Sequence, residues 1–253
     1  MVEFSIATLI YKSTLFADAV FESIMKYTPY LKNGRAEFFF IANDASEKVL
    51  NHLKMKKYPF YEVNNIVYSE DELFSRGIGK PEYISRVYRG WNQAIIKSKA
   101  NNVVLVNSDN YFSTDWLENL IKYYDENKII CSTLVERFHP KYGVFPGAIH
   151  QEFGSTPLNF DEERFCSFVA RTKKTGLQNG GAFMPCLFSK KKALEVNLYP
   201  EGNLAGKSFD DVIAYGDEVF FKKVAKIGVS HHTALDSICY HLKEGEMDFQ
   251  ENE

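Results

Sequence analysis

Residues 101–121, "NNVVLVNSDNYFSTDWLENLI", run from a strand-length apolar stretch through a polar tip into a helical pattern. Val103 to Val106 are continuously apolar, the character of a strand covered on both faces in a sheet sandwiched by helices. Ser113 or Thr114 stands where a helix N-cap belongs, with Asp115 and Glu118 in the first turns. Ligands of open α/β sheets bind at the carboxyl ends of strands, and Asn107, Ser108, Asp109 and Asn110 lie at such an end. A lone carboxylate there has two readings. Asp109 holds a divalent cation whose shell is completed by water and a substrate's phosphates, or Asp109 and Asn110 only form a turn and cap the next helix.

Outward from this stretch the same alternation repeats. "FSIATLIY" and "AEFFFIAND" are apolar, rich in β-branched and aromatic residues, and end in polar ones. Between them Phe16, Ala19, Val20, Ile24 and Tyr27 recur at helical spacing behind a cap at Ser13 or Thr14. "SEKVLNHLKMK" predicts a short helix capped by Ser46, and "FYEVNNIVYS" a further strand. In 81–100 the residues Ile84, Val87, Tyr88, Trp91, Ala94 and Ile95 form one apolar stripe behind Pro81, while Arg86, Arg89 and Gln93 lie on the polar side. The pattern predicts an α/β fold, Rossmann-like, with a mostly parallel sheet and helices on both faces.

From Val135 to about Gly181 regular periodicity is lost, and glycines punctuate an aromatic-rich stretch that reads as a long loop. "DEVFFKKVAKIG" predicts a helix stopped at Gly228, "VSHHTALDSICYHL" a strand, and "EGEMDFQENE" a frayed acidic tail. His231 and His232 are neighbours on that strand, so they point to opposite faces and do not serve together as ligands.

Composition narrows the function. The chain has 253 residues, 45% hydrophobic and 25% charged, enough for a sizeable core. Its formal charge of −3 argues against a nucleic-acid partner. No apolar run reaches the roughly 20 residues of a transmembrane segment, and the opening residues lack a basic signal-peptide region, so a cytoplasmic location is expected. Four scattered cysteines without a C-x-x-C pair disfavour zinc or disulfide frameworks.

The ordered series "FSIATLIY", "FFFIANDAS", "RGWNQAI" and "VVLVNSDN" resembles the nucleotide-binding half of family 2 glycosyltransferases, which have the glycosyltransferase A-type fold. The resemblance covers residues 1 to about 126, is weaker over 180–246 and is absent between. It implies a nucleotide-sugar-binding half over 1–126 and an acceptor-binding half over 127–253 within one continuous domain. In the family's D-x-D metal motif the first acidic position is occupied here by Asn107 and the last by Asn110, which leaves Asp109 as the implied ligand of Mn²⁺ or Mg²⁺ and makes late His241 its supplement. By the same resemblance Asp44 reads the nucleotide base, Thr8 and Ser108 touch the nucleotide, and Arg86 or Arg89 reaches the diphosphate or base. The acidic pair Asp217 and Glu218 matches the family's general-base helix; the register leaves both open and counting back from Gly228 favours Asp217.

The resemblance implies inverting transfer of a sugar from a UDP-linked donor to a carbohydrate or other hydroxyl acceptor, one addition at a time, since Q-x-x-R-W is missing. The aromatic segment 135–181 and "GGAFMPCLFSKKK" would form the acceptor side. Two rivals remain at this level. One is a non-catalytic nucleotide- or carbohydrate-binding protein on a transferase scaffold, suggested by Asn107 in place of the first acid. The other is a nucleotidyltransferase, disfavoured because "YKSTLFAD" has no glycine-rich phosphate loop.

Overall fold

The computed structural model describes residues 2–141, 143–243 and 246. The chain begins with β1 (Phe4–Ile10), α1 (Thr14–Tyr27), α2 (Pro29–Lys32), β2 (Ala36–Asn43), α3 (Glu47–Lys56) and β3 (Phe60–Val63). Next come α4 (Glu70–Ser75), β4 (Ile78–Gly79), α5 (Glu82–Lys97), β5 (Asn102–Val106), β6 (Asn110–Phe112) and α6 (Trp116–Tyr123). The later residues form β7 (Lys128–Glu136), β8 (Ile149–His150), α7 (Glu162–Thr172), β9 (Leu177–Asn179), β10 (Cys186–Ser189) and α8 (Lys190–Glu195). Last are β11 (Asn203–Ala205), β12 (Val212–Ala214), α9 (Gly216–Ala225) and β13 (Ser230–His241).

Alternation along the strands builds the layers. Ile6, Phe38, Phe40, Val104 and Val106 point to one face, where they meet Phe16 and Val20 of α1, Leu53 of α3, Trp116 of α6 and Phe165 of α7. Their neighbours Ala7, Phe39, Ile41, Val103 and Leu105 point to the other, against Tyr88 and Trp91 of α5 and Phe220 and Val224 of α9. Both faces of the sheet are covered, which is why these strands read as unbroken apolar runs. Local caps agree with the sequence at two helices: Ser13 accepts from the Phe16 N–H and Ser46 from the Val49 N–H.

The main sheet runs β3-β2-β1-β5-β10-β7-β13-β6, with β8 added at β7 and β9 at β13. Strands β3, β2, β1 and β5 are parallel, as are β7 and β13, while β10 is antiparallel to both its neighbours. A smaller sheet, β12-β11-β4, stands apart. The register Thr8 to Phe40 and Thr8 to Val106 brings the carboxyl ends of β1, β2 and β5 to one edge. The polar residues that follow those strands therefore meet there.

Several sequence expectations are corrected. The tip of β5 does not lead straight into a helix: β6 intervenes and pairs antiparallel with β13, Asn110 opposite His241. Helix α6 starts at Trp116 behind Asp115, and Ser113 donates to the Ile238 carbonyl instead of capping. The stretch "FYEVNNIVYS" is a strand only as far as Val63. The presumed loop 135–181 contains α7, an eleven-residue helix capped by Asp161. In "GGAFMPCLFSKKK" the residues Cys186–Ser189 are a central strand of the core, and only the part before them borders a cavity. Strand β13 carries a bulge: its pairing with β7 shifts between Ala234 and Ile238. The tail expected to fray, 244–253, lies outside the described residues apart from Glu246. Among the described residues no helix is long and apolar enough to cross a membrane.

Candidate active site

Two adjoining cavities of about 280 and 370 Å³ open at the carboxyl edge of β1, β2 and β5. They share Val87, Trp91, Asn107 and His241, so they form one cleft. Asp44, Arg86, Ser108 and Asp109 line the first cavity, and Asp217 lines the second.

Asp109 reaches the cleft because of the turn before β6. Asn110 accepts the Asn107 N–H through its side chain at 3.0 Å and returns its own N–H to the Asn107 carbonyl at 3.2 Å. The turn is thus built by the two asparagines, and Asp109 is left to face β13, where its carbonyl accepts the Leu242 N–H. The buried Asp109 carboxylate lies 3.0 Å from Nε2 of His241. The helix-capping alternative for Asp109 is therefore excluded.

Nδ1 of His241 faces Glu136 at 2.7 Å, and Glu136 also takes Lys243 Nζ at 2.6 Å and the Phe145 N–H at 2.8 Å. Burial pushes the Glu136 carboxyl up, but these hydrogen bonds outweigh it and hold the group below the usual carboxylate range. Burial likewise lowers His241, yet the carboxylates on both ring nitrogens prevail and raise it to about 10. Sequence reasoning missed Glu136; its only signal was a charged residue closing the apolar run "IICSTLVE".

The donor set fits a small divalent cation in part, on the condition that the cation displaces the Nε2 proton that the flanking carboxylates otherwise hold on His241. Two ligands in adjacent coordination positions at about 2.1 Å from a metal lie roughly 3 Å apart, the separation of Asp109 Oδ2 and His241 Nε2 being 3.0 Å. A carboxylate on the far ring nitrogen, the place of Glu136, is the usual support of a metal-binding histidine. Among the described residues no group of three or more His, Cys, Asp or Glu side chains forms a metal cage. The remaining positions would fall to water and ligand oxygens.

Asp44 follows β2 in left-handed backbone at φ 50°, which aspartate tolerates. Its carboxylate accepts from the backbone and side-chain N–H groups of Asn65 at 2.7 and 2.9 Å, with Arg86 at 3.9 Å. Helix α5 comes close enough to make this contact because Gly90 sits against Asn43 and Leu9, where an added Cβ would be 3.0 Å from both. Arg86 borders the cleft, whereas Arg89 does not. Arg89 binds the Ile66 carbonyl and Ser85 and so ties down the segment after β3. Thr8 is also outside the cleft, fully buried in β1 with its hydroxyl on the Leu9 carbonyl; Ile10 and Tyr11 border the cavity instead.

At the other end, Asp217 and Glu218 separate. The α9 N-terminus is fixed by Tyr88, whose hydroxyl accepts the Asp217 N–H, and by Asn203, which accepts the Gly216 N–H. Asp217 faces the second cavity, and burial raises its carboxyl to about 6. Glu218 lies on the outer side in an ion pair with Lys222 at 2.6 Å. A further acid enters the cleft from afar: Glu246 accepts the N–H groups of Tyr11, Lys12 and Ser13 and the Ser108 hydroxyl.

No family model and no curated protein matches the chain. Solved structures do. GalNAc-T7 with UDP, GalNAc and Mn²⁺ is similar over 100% of this chain and 45% of its own, at 15% identity and a TM-score of 0.60. TarS 1–349 of S. aureus is similar over 95% of this chain and 60% of its own, at 11% identity and a TM-score of 0.57. The mannosyltransferase PcManGT from Pyrobaculum calidifontis, in complex with GDP-Man and Mn²⁺, is similar over 95% and 56%, at 12% identity and a TM-score of 0.55. The chain spans about half the length of these structures. Its sheet and helices have the glycosyltransferase A-type fold.

Proposed function

We propose that the chain is a glycosyltransferase that moves a sugar from a nucleotide-sugar donor, UDP-linked, to an acceptor hydroxyl with inversion, in single additions. The observation that carries this reading is one cleft with the Asp109–His241 pair in its middle and Asp217 facing its far part. Transferases of the same fold hold UDP or GDP-Man with Mn²⁺.

Each residue then has a task. Asp44 accepts from the base N–H, with Arg86 beside it. Asp109 Oδ2 and His241 Nε2 would hold Mn²⁺ or Mg²⁺, and Glu136 keeps the imidazole oriented through Nδ1. When bound, the cation supplies charge neutralisation for a departing diphosphate. Asp217 takes the proton of the acceptor hydroxyl as its oxygen bonds to the anomeric carbon, and the electron pair of the broken C–O bond leaves with the diphosphate. Above about pH 6 Asp217 is ionised and competent for that role. The apolar wall of the second cavity, with Phe145, Phe183 and Met184, would border the acceptor and exclude water.

Calorimetric titration with UDP and Mn²⁺, and release of UDP from a panel of sugar nucleotides, test this. Asp109→Ala is expected to weaken UDP binding tenfold or more, about the 1.5–3 kcal/mol of one charged contact. Equal affinity in both proteins refutes the site; binding without turnover leaves a nucleotide-binding protein, and pyrophosphate release a nucleotidyltransferase.

A further inference from the structure

Glu246 sits far from Tyr11 in sequence, yet its carboxylate is held at the head of the cleft by four donors. Oε2 accepts the N–H groups of Tyr11, Lys12 and Ser13 at 3.0, 2.7 and 2.9 Å, and Oε1 accepts the Ser108 hydroxyl at 3.2 Å. Three successive backbone N–H groups converging on one point form a concave nest, a geometry suited to anions. The nest is rigidly supported: the Tyr11 carbonyl accepts the Ser46 N–H, and Ser13 caps α1 through Phe16. Ser108 belongs to the same turn that presents Asp109. The bound carboxylate is the independent sign that this nest takes an oxyanion.

We propose that the Tyr11–Ser13 amides and the Ser108 hydroxyl form an oxyanion site for a phosphate group of a nucleotide, and that Glu246 fills it as a tethered competitor. A phosphate oxygen offers the same acceptor geometry and more charge than a carboxylate. Two anions do not share four donors, so a phosphate enters only as Glu246 leaves. A nest filled by Glu246 about nine-tenths of the time lowers the apparent affinity for a phosphate about tenfold, because only the open fraction is competent.

This inference rests on the reading of the cleft as a nucleotide site, and the two are tested apart. Calorimetry compares the full chain with Glu246→Ala, using UDP, uridine and inorganic pyrophosphate, each with Mn²⁺. The expected result is a gain of tenfold or more for UDP and pyrophosphate and a change below twofold for uridine, which carries no phosphate. Amide hydrogen exchange gives a second readout without ligand: Tyr11, Lys12 and Ser13 are expected to exchange at least tenfold faster in the variant. Unchanged exchange, or equal affinity of both proteins for UDP and pyrophosphate, overturns the proposal. An equal gain for uridine also overturns it, since the effect is then exclusion by bulk. If Asp109→Ala weakens UDP binding and Glu246→Ala changes nothing, the donor cleft stands and the competitor falls. If pyrophosphate gains while UDP binds neither protein, the oxyanion site stands and the donor reading falls.

Discussion

Asp217 and Glu218 are adjacent in sequence and opposite in circumstance. Successive helical residues are separated by about 100° around the axis, so one faces the cleft while the other meets Lys222 on the outside. Asp217→Asn is expected to lower kcat by about 10²- to 10⁴-fold, the usual contribution of a general base, while calorimetry finds UDP affinity unchanged. Glu218→Gln should leave kcat within about twofold, since an exposed ion pair contributes little. The rate should rise with pH through about 6 as Asp217 loses its proton; a flat profile from pH 5 to 7 argues against it as the base. The stability effect has the opposite sense. The folded-state value is raised above the ordinary one, so the protonated form stabilises the fold at low pH and that contribution is lost as pH rises through about 6. Asp217→Asn should therefore melt above the parent protein at pH 7.5, with the gain vanishing below pH 4. Residue scale is also where sequence reading reached least far. The acidic pair marks α9, and counting back from Gly228 favours Asp217 without deciding which acid turns inward; Thr8 shares a face of β1 with Ile10 but lies inside the sheet and not at its end, and Arg89 lies further along α5 than the cleft residue Arg86. Such placements are fixed by packing partners distant in sequence.

The start of α9 illustrates how an element carries a site. Gly216 packs against the Tyr88 ring, and a methyl group there would overlap it. Gly216→Ala is expected to destabilise the protein by about 1–3 kcal/mol, the range for overpacking a tight contact, and to reduce kcat more than tenfold by moving Asp217. Thermal unfolding and steady-state kinetics check the two effects; unchanged values in both would show that Tyr88 gives way without consequence. The long apolar elements β1, β2, α5 and β5 were legible because each carries its own periodicity and boundary signals. The short β6 and β10 were not, having three and four residues whose pairing partners lie far along the chain. Helix α7 was hidden for another reason: its apolar stripe of Phe165, Cys166, Phe168 and Val169 covers little more than one turn of an eleven-residue helix that is otherwise mostly charged or polar.

At the level of the whole molecule, the two halves read from the sequence are joined through their hydrogen bonds. Strand β10 lies between β5 and β7, and β6 completes its pairing on β13. A fragment of residues 1–126 would leave β5 and β6 without these neighbours and expose Val103 and Leu105, buried in the intact chain. It is expected to lack near-ultraviolet circular dichroism, although both tryptophans, Trp91 and Trp116, lie within it. The full chain should unfold in one cooperative transition, and a cooperative transition of the fragment would refute this interlocking.

The pairing of β6 with β13 also bears on the birth of the protein. Asp109 leaves the ribosome with the first half of the chain, but its partner His241 follows only after more than a hundred further residues. At ordinary rates of translation the gap is on the order of ten seconds. During that interval the nascent chain carries the edge around Asp109 without the imidazole that faces it, so the Asp109–His241 pair closes only after β13 has emerged and paired with β6.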